Sequence, residues 1–324
     1  MKHALVILNQ GAGSCSPKLV RRALEAHFVR SGIGYEIHAV TEGERLAESV
    51  RARLKEGFDL IVAAGGDGTV SAVVDGLAGS PTPLGIIPTG TANLVARELN
   101  IPLEVGEAAR LVADAPRIRN MDAMRVAGRV YVLIIGVGIS ASVAGGTTKK
   151  NKNRFGLPAY AGAAILKMFE FRPRSLEVVV DGETHKVRSV EVAIANCGIL
   201  TKLIFPKGPD IHVDDGRLDV CIVDTATLLD YPRYLLNVLR HRSAVSRVRY
   251  LGARKSVAIR SARALPVQAD GDVVGTTPIE IELIPGAVGV IVPERPAVEP
   301  ALHLARDILV TQYLPGFFKA GGRR

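Results

Sequence analysis

The chain has 324 residues, 48% of them hydrophobic and 5% aromatic, with a formal net charge of +9. That length exceeds one average domain and can bury one or two real cores. Cys15, Cys197 and Cys221 form neither a zinc spacing nor a disulfide framework, so a reducing cytoplasm is expected, and the charge calls for an anionic partner.

Ala4 to Leu8 reads as a strand that runs into Asn9-Gln10-Gly11-Ala12-Gly13-Ser14. Ser16 and Pro17 mark a helix start, as N-cap and first-turn proline. Leu19, Val20, Ala23, Leu24, His27 and Phe28 give that helix an apolar stripe, and Gly32 stops it. His27 reads as a core-edge histidine. Thr41 and Glu44 have the spacing of a capping box and are expected to open the next helix.

Leu60 to Ala64 is a short buried strand that breaks into Gly65-Gly66-Asp67-Gly68-Thr69. Val70, Val73, Val74 and Leu77 then share one face of a short helix. A glycine-rich turn between strand and helix points backbone N–H groups at one spot, beside the positive end of the helix dipole. Asp67 would repel a bare phosphate there, but it suits a divalent cation held between carboxylate and phosphates. The plain alternative is a tight turn with Asp67 as N-cap. Leu84 to Ile87, Pro88-Thr89-Gly90-Thr91-Ala92-Asn93 and a helix over Leu94 to Leu99 repeat the arrangement, with Thr91 as cap or phosphate contact. Such units put their loops at one edge of a parallel sheet, where ligands bind. The alternation through about residue 120 predicts a doubly wound α/β domain.

The second half predicts a β-rich domain. Val130 to Ile135, Leu176 to Val180, Val190 to Ala195, Leu218 to Val223, Ser256 to Ile259 and Ile279 to Leu283 are rich in β-branched residues. Tyr160 to Phe169 and Leu228 to Leu239 read as helical insertions. No repeat or low-complexity tract interrupts the chain.

GGDGT, PTGTAN, VDDGRLDV at 213 to 220 and ADGD at 269 to 272 follow one another in the order found in diacylglycerol kinase catalytic domains. The chain resembles that family, and with it the bacterial lipid kinases and the sphingosine and ceramide kinases, from Leu5 to about Pro293. The resemblance implies a lipid kinase using ATP and magnesium. It implies a phosphofructokinase-like nucleotide domain over 1–122 plus 295–324. A β-sandwich lipid-substrate domain over 123–294 would complete it, with the active site between the two.

Position by position, the resemblance assigns Asn9, Gly11, Ala12 and Gly13 to a first nucleotide loop, with Gln10 where relatives carry proline. Thr41 falls near the adenine side. Gly65, Gly66, Asp67, Gly68, Thr69, Val70 and Ser71 form the phosphate loop, with Ser71 where an Asn is usual. Thr91 joins the nucleotide set. Asn93 and Asp122 fall on the substrate side. Leu94 replaces a common Asp, and Ser140 stands where many relatives have an Asp that helps hold the lipid head group. That last departure puts diacylglycerol itself in question.

Asp214-Asp215-Gly216 is a β-turn by composition. By resemblance it is a structural magnesium site, with the Asp215 carboxylate and the carbonyls of His212 and Arg217 as ligands. Asp270-Gly271-Asp272, between Val267 and Val273, is a hairpin signal. By resemblance it carries the base for the lipid hydroxyl, as Asp272, with Asp270 as the alternative base or a metal partner. Catalysis is thus expected from Asp272, Asp270 and Asp67.

The basic residues are uneven: Arg233 to Arg263 contains nine Lys/Arg and no acid, and Lys149, Lys150, Lys152 and Arg154 form a second cluster. An anionic membrane surface, met peripherally, fits them, at about 1 kcal/mol per basic residue held near the leaflet. A solvated basic face is the plain reading. Few aromatics accompany the charge, so nucleic acid is not expected. The longest apolar run, Val130 to Ile139, is too short to span a bilayer, and Met1 to Leu8 lacks a signal-peptide core. The tail from Leu302 to Phe318 is expected to pack on the first domain. A homodimer is admitted as an assembly. The competing functions are a kinase for a soluble substrate such as NAD and a lipid-binding pseudokinase.

Overall fold

The computed structural model describes residues 2–11, 16–145, 173–199, 201, 208–223 and 248–294. The readings placed on Ala12, Gly13, Cys15, Lys149 to Arg154, Tyr160 to Phe169, Leu228 to Leu239, the basic stretch up to Arg247 and the tail from 295 lie outside the described residues.

The first half alternates as the sequence predicts: β1 (His3–Leu8), α1 (Pro17–Phe28), β2 (Gly34–Ala39), α2 (Leu46–Arg53), β3 (Leu60–Gly65), α3 (Asp67–Leu77), β4 (Leu84–Pro88), α4 (Leu94–Glu98) and α5 (Val105–Asp114). β3 and β4 are buried at every residue, as strands covered on both faces must be. The four strands pair in parallel in the order β2-β1-β3-β4. Their carboxyl ends therefore share one edge, and the order reverses between β1 and β3, which makes a topological switch point. At α1 the Ser16 Oγ accepts the Lys18 N–H at 3.3 Å. Its face of Val20, Ala23, Leu24 and Phe28 is buried, whereas Leu19 stays 47% exposed.

One cap differs from expectation. The Glu44 carboxylate does accept the Thr41 N–H, at 3.0 Å, but α2 begins only at Leu46. The pair closes a turn ahead of the helix. Burial pushes the Glu44 carboxyl up, and the Thr41, Ser49 and His38 hydrogen bonds together bring it below its ordinary value.

The second half contains β5 (Arg117–Val126), β6 (Arg129–Tyr131), β7 (Ile134–Gly138), α6 (Ile139–Gly145), β8 (Arg174–Val180), β9 (Glu183–Ser189), β10 (Glu191–Ala195), β11 (Leu218–Val223), β12 (Val248–Ala253), β13 (Ser256–Ser261), β14 (Pro266–Ala269), β15 (Asp272–Thr276) and β16 (Ile279–Val292). One sheet has the order β12-β11-β10-β7-β14-β15. The other is continuous with the first half. β16 meets β4 in parallel at Val290 and Leu84, pairs antiparallel with β13, and runs on to β8 and β9. β5 lies antiparallel along β16 from Arg117–Val292 to Val126–Ile281.

Ile135, Val137, Val192, Ile194, Val220, Ile222 and Val267 of one sheet share a core with Val178, Val257, Ile259 and Ile281 of the other. This is a β-sandwich built from inward-facing alternate residues. The first-half core takes in Ala123 and the sandwich core takes in Met124, its neighbour on β5. The expected strand over Val130 to Ile135 is two strands, because the intervening backbone bonds a carboxylate instead of a neighbouring strand.

Candidate active site

Three glycines bring the loops of the parallel edge together. A Cβ on Gly65 would collide with the Thr69 side chain, and a Cβ on Gly66 would stand 3.2 Å from the Gly90 Cα. The loops after β3 and β4 therefore touch backbone to backbone. Asn9, at the end of β1, donates its Nδ2 to Thr69 Oγ1 at 2.9 Å and accepts the Gly11 N–H at 3.1 Å. That side chain ties the first loop to the second across the switch point. Nothing lies within 4 Å of a Cβ at Gly68, so open space stands over the start of α3. The Thr69 and Val70 N–H groups are bonded to the Gly66 carbonyl, at 2.9 and 3.0 Å, and the Val70 side chain is in the core. Val70 thus supports the loop from behind. Thr41 and Thr91 are exposed at the same edge.

Asp67 caps a helix, but not its own. Gly66 is the N-cap of α3, and the Asp67 Oδ1 accepts the Val95 N–H of α4 at 3.1 Å. Thr91, read as the α4 cap, does not cap it. The N-cap position is Asn93, in the left-handed region at φ 49°, and its side chain bonds the N–H and the carbonyl of Gly90 instead. Burial raises the Asp67 carboxyl; the hydrogen bonds of the α4 amides oppose this, and the nearby Asp270 charge adds to it.

Asp270 joins the two halves. It and Gly271 have φ of 48° and 93° and form the tight turn between β14 and β15. The Asp270 carboxylate accepts the N–H groups of Val132 and Leu133, in the break between β6 and β7, and of Ile134, the first residue of β7, at 3.1, 3.0 and 3.0 Å. Its Oδ2 also accepts the Ser71 hydroxyl from α3 at 2.8 Å. Ser71 is therefore engaged with the acid turn. Burial raises the Asp270 carboxyl against these hydrogen bonds. Asp272, at the start of β15, is exposed.

Asp122 holds the seam on β5. Its carboxylate accepts the N–H groups of Gly216 and Gly286, both at 2.7 Å. Gly286 lies in the β16 bulge at φ 57°, and Gly216 in the Asp-Asp-Gly turn at φ 65°. Burial raises the Asp122 carboxyl. In that turn Asp214 pairs with Arg119, and the Asp215 Oδ1 accepts the Arg217 N–H at 3.0 Å. His212 faces Asp210 through its side chain, and the Arg217 guanidinium meets Asp219. Among the described residues no three His, Cys, Asp or Glu side chains cluster as a metal site. A cation here would rest on one carboxylate with carbonyls and waters, a donor set that suits magnesium.

Sequence reasoning passed over Glu191. Its carboxylate accepts the Ser140 hydroxyl at 2.5 Å and the Ser140 N–H at 2.9 Å, which closes the start of α6. Burial pushes its carboxyl up to about 7. A single Glu at the head of a strand carries no sequence signal; only the pairing of β10 with β7 brings it to Ser140.

Comparison with known proteins agrees with this geometry. The model for the diacylglycerol kinase catalytic domain matches residues 3–126, and that for the YegS C-terminal NAD kinase beta sandwich-like domain matches 133–292. The chain is 30% identical to a diacylglycerol kinase of Bacillus subtilis over 92% of its own length and 98% of the relative's. It is 28% identical to an uncharacterised protein of Synechocystis, of which it spans 56%. The structure of a diacylglycerol kinase described as putative, from Bacillus anthracis, superposes with a TM-score of 0.74 at 22% identity, over 91% of this chain and 96% of that one. With two thirds of the chain and more aligned at 30% identity, and the kinase catalytic domain present, the chain belongs to the diacylglycerol kinase family.

Proposed function

We propose that the chain is an ATP-dependent lipid kinase that phosphorylates a hydroxyl of a diacylglycerol- or sphingoid-like lipid. One observation carries the reading: the Ser71–Asp270 hydrogen bond, 2.8 Å long, binds the phosphate-loop helix directly to the acid turn of the second half. Nucleotide loops and acceptor acid thereby share one cleft. Phosphoryl transfer needs mainly positioning and charge stabilisation, and this arrangement offers both.

Gly65 to Gly68, with the start of α3, receives the phosphates. Asn9 fixes the loop through Thr69. Thr41 and Thr91 border the nucleotide. Both Asp270 oxygens already accept hydrogen bonds, so Asp270 positions the turn, and the exposed Asp272 carboxylate takes the proton of the lipid hydroxyl. The Asp270 charge adds to the rise of the Asp67 carboxyl, and a cation beside Asp67 would offset both. Asp67 would hold that ion and Asp215 a structural one; bound magnesium supplies neutralisation of phosphate charge. Asn93 and Asp122 shape the acceptor side through the backbone they hold.

Among the described residues no helix is long and apolar enough to cross a membrane. On this reading the acceptor is met at the surface of an anionic leaflet, by the basic residues between Arg233 and Arg263. The name of the second-half family model refers to NAD kinase, which makes NAD the alternative acceptor. ATP turnover measured with a lipid extract and with NAD separates the two. Turnover with NAD alone overturns the lipid reading.

A further inference from the structure

The sheet that ends in β8 and β9 carries a cavity on its outer face, apart from the cleft. It holds about 530 Å³, and its charged lining is Glu177 of β8, Lys186 and Arg188 of β9 and Arg260 of β13. Strand register explains the gathering. Glu177 pairs with Lys186 on one side and with Arg260 on the other, so the three side chains stand in a row on one face. Arg188, opposite Ser175, is two residues along β9 and shares that face. Leu176 and Val187, between them, point the other way into the sandwich core.

The charges there do not cancel. Arg260 donates one hydrogen bond to Glu177, at 2.8 Å. The two side chains are 61% and 34% exposed, and a pair so open to water is weak, which leaves Arg260 able to turn to another anion. Neither Lys186 nor Arg188 has an acid partner among the described residues. Three cations against one carboxylate leave two positive charges over the cavity. β9 is the last strand of its sheet, and charged side chains there discourage edge-to-edge pairing. That role does not reach Arg260, which stands two strands in.

We propose that this face binds the phosphate-monoester head group of a membrane lipid. A phosphate monoester carries about −1.5 to −2 charges at pH 7 and offers three acceptor oxygens, which answers two uncompensated cations; a diester carries one charge. The cations are exposed, as a head group presented by a leaflet requires, and more surround them. Arg174 is exposed one rung beyond Arg188, and the exposed Arg263 is held at the same end, where its carbonyl accepts the Ser261 hydroxyl at 2.6 Å. The acid turn lies elsewhere. Ser261 meets Thr277, just past the end of β15, whereas Asp270 and Gly271 close the opposite end of the β14–β15 hairpin.

The test measures binding of the full chain, without nucleotide, to two sets of phosphatidylcholine vesicles. One set contains phosphatidate and the other phosphatidylglycerol, a diester, at matched surface charge. The wild type should prefer phosphatidate. Lys186→Gln combined with Arg188→Gln should cost at least about tenfold more affinity on phosphatidate than on phosphatidylglycerol, the scale of one hydrogen bond to a charged group. Equal loss on both vesicles would make the face a solvated basic patch and overturn the inference. So would a loss on neither. Capture of glycerol 3-phosphate in solution as tightly as phosphatidate in vesicles would assign the cavity to a free phosphate and overturn the leaflet. Equal wild-type affinity for the two vesicles overturns the inference even if the variant fails to fold. Because no nucleotide is present, failure of the lipid-kinase reading would leave the result standing.

Discussion

Gly66 and Gly90 belong to different loops, yet the backbone of one stands where a side chain on the other would have to go. Gly90→Ala forces a methyl group into the Gly66 backbone, which cannot swing aside as a side chain would. The loops must part, at a cost on the order of 1–3 kcal/mol, typical of overpacking. Turnover should fall with the loss of stability. Gly68→Ala is the contrast, because its Cβ would meet nothing within 4 Å. Equal melting temperatures for the two variants would refute this packing.

Asp67→Asn keeps an oxygen for the Val95 N–H and removes the charge. The variant should fold normally and lose at least about 100-fold in turnover, the scale of a lost electrostatic group at the transition state. Near-normal turnover in the folded variant would leave Asp67 with the capping of α4 as its sole role.

Asp270 and Asp272 should fail in different ways. Asp270→Ala strands the N–H groups of Val132, Leu133 and Ile134, and each unsatisfied buried donor costs about 1–3 kcal/mol. Its first symptom should be a lower midpoint of unfolding. Asp272→Ala should fold as the wild type does and lose about 10² to 10⁴ in rate, the share of a general base. Asp272→Glu should retain substantial activity. A stable but dead Asp270→Ala beside an active Asp272→Ala would move the base to Asp270.

Burial lifts the Glu191 carboxyl from 4.5 to about 7. Between those values the folded chain keeps a proton that the unfolded chain has released. Stability must therefore fall as pH rises through that window, by up to about 1.4 kcal/mol per pH unit, and level off above it. Glu191→Gln removes this contribution. Thermal unfolding across the window should show a shallower slope in the variant; superimposable slopes would mean that Glu191 is ionised throughout.

Neutralising Arg240, Arg242, Arg247 and Arg249 together should weaken binding to anionic vesicles, with a difference that shrinks at high salt. Activity on a water-soluble acceptor should persist. Unaltered vesicle binding at low salt would make the stretch a solvated face.

The first half of the fold was legible because its strands are buried on both faces. Leu60 to Ala64 and Leu84 to Ile87 are short runs without a polar side chain, closed by Gly65 and by Pro88. β9 was missed, since Glu183 to Ser189 alternates charged residues on an exposed face. The glycine loops and the Asp-Gly turns were visible as backbone chemistry. What Asp67, Ser71 and Asp270 bond to was not, because their partners are 28 and 199 residues away in the chain. The Thr41–Glu44 contact forms as the sequence predicts, but the helix it was expected to open starts only at Leu46; the same hydrogen bond closes a turn as readily as it starts a helix.

β16 is a single ladder rung shared by both halves: its end near Val290 lies beside β4, and its start lies beside β13. Two-part enzymes that shut like jaws have a loop at the joint. This one has a 14-residue strand there, clasped along its length by β5. Closing such a joint means breaking sheet hydrogen bonds, which opposes a change in the width of the cleft. On the proposed lipid-kinase reading, exclusion of water from the reaction would then fall to the acceptor itself, whose apolar chains would close the cleft.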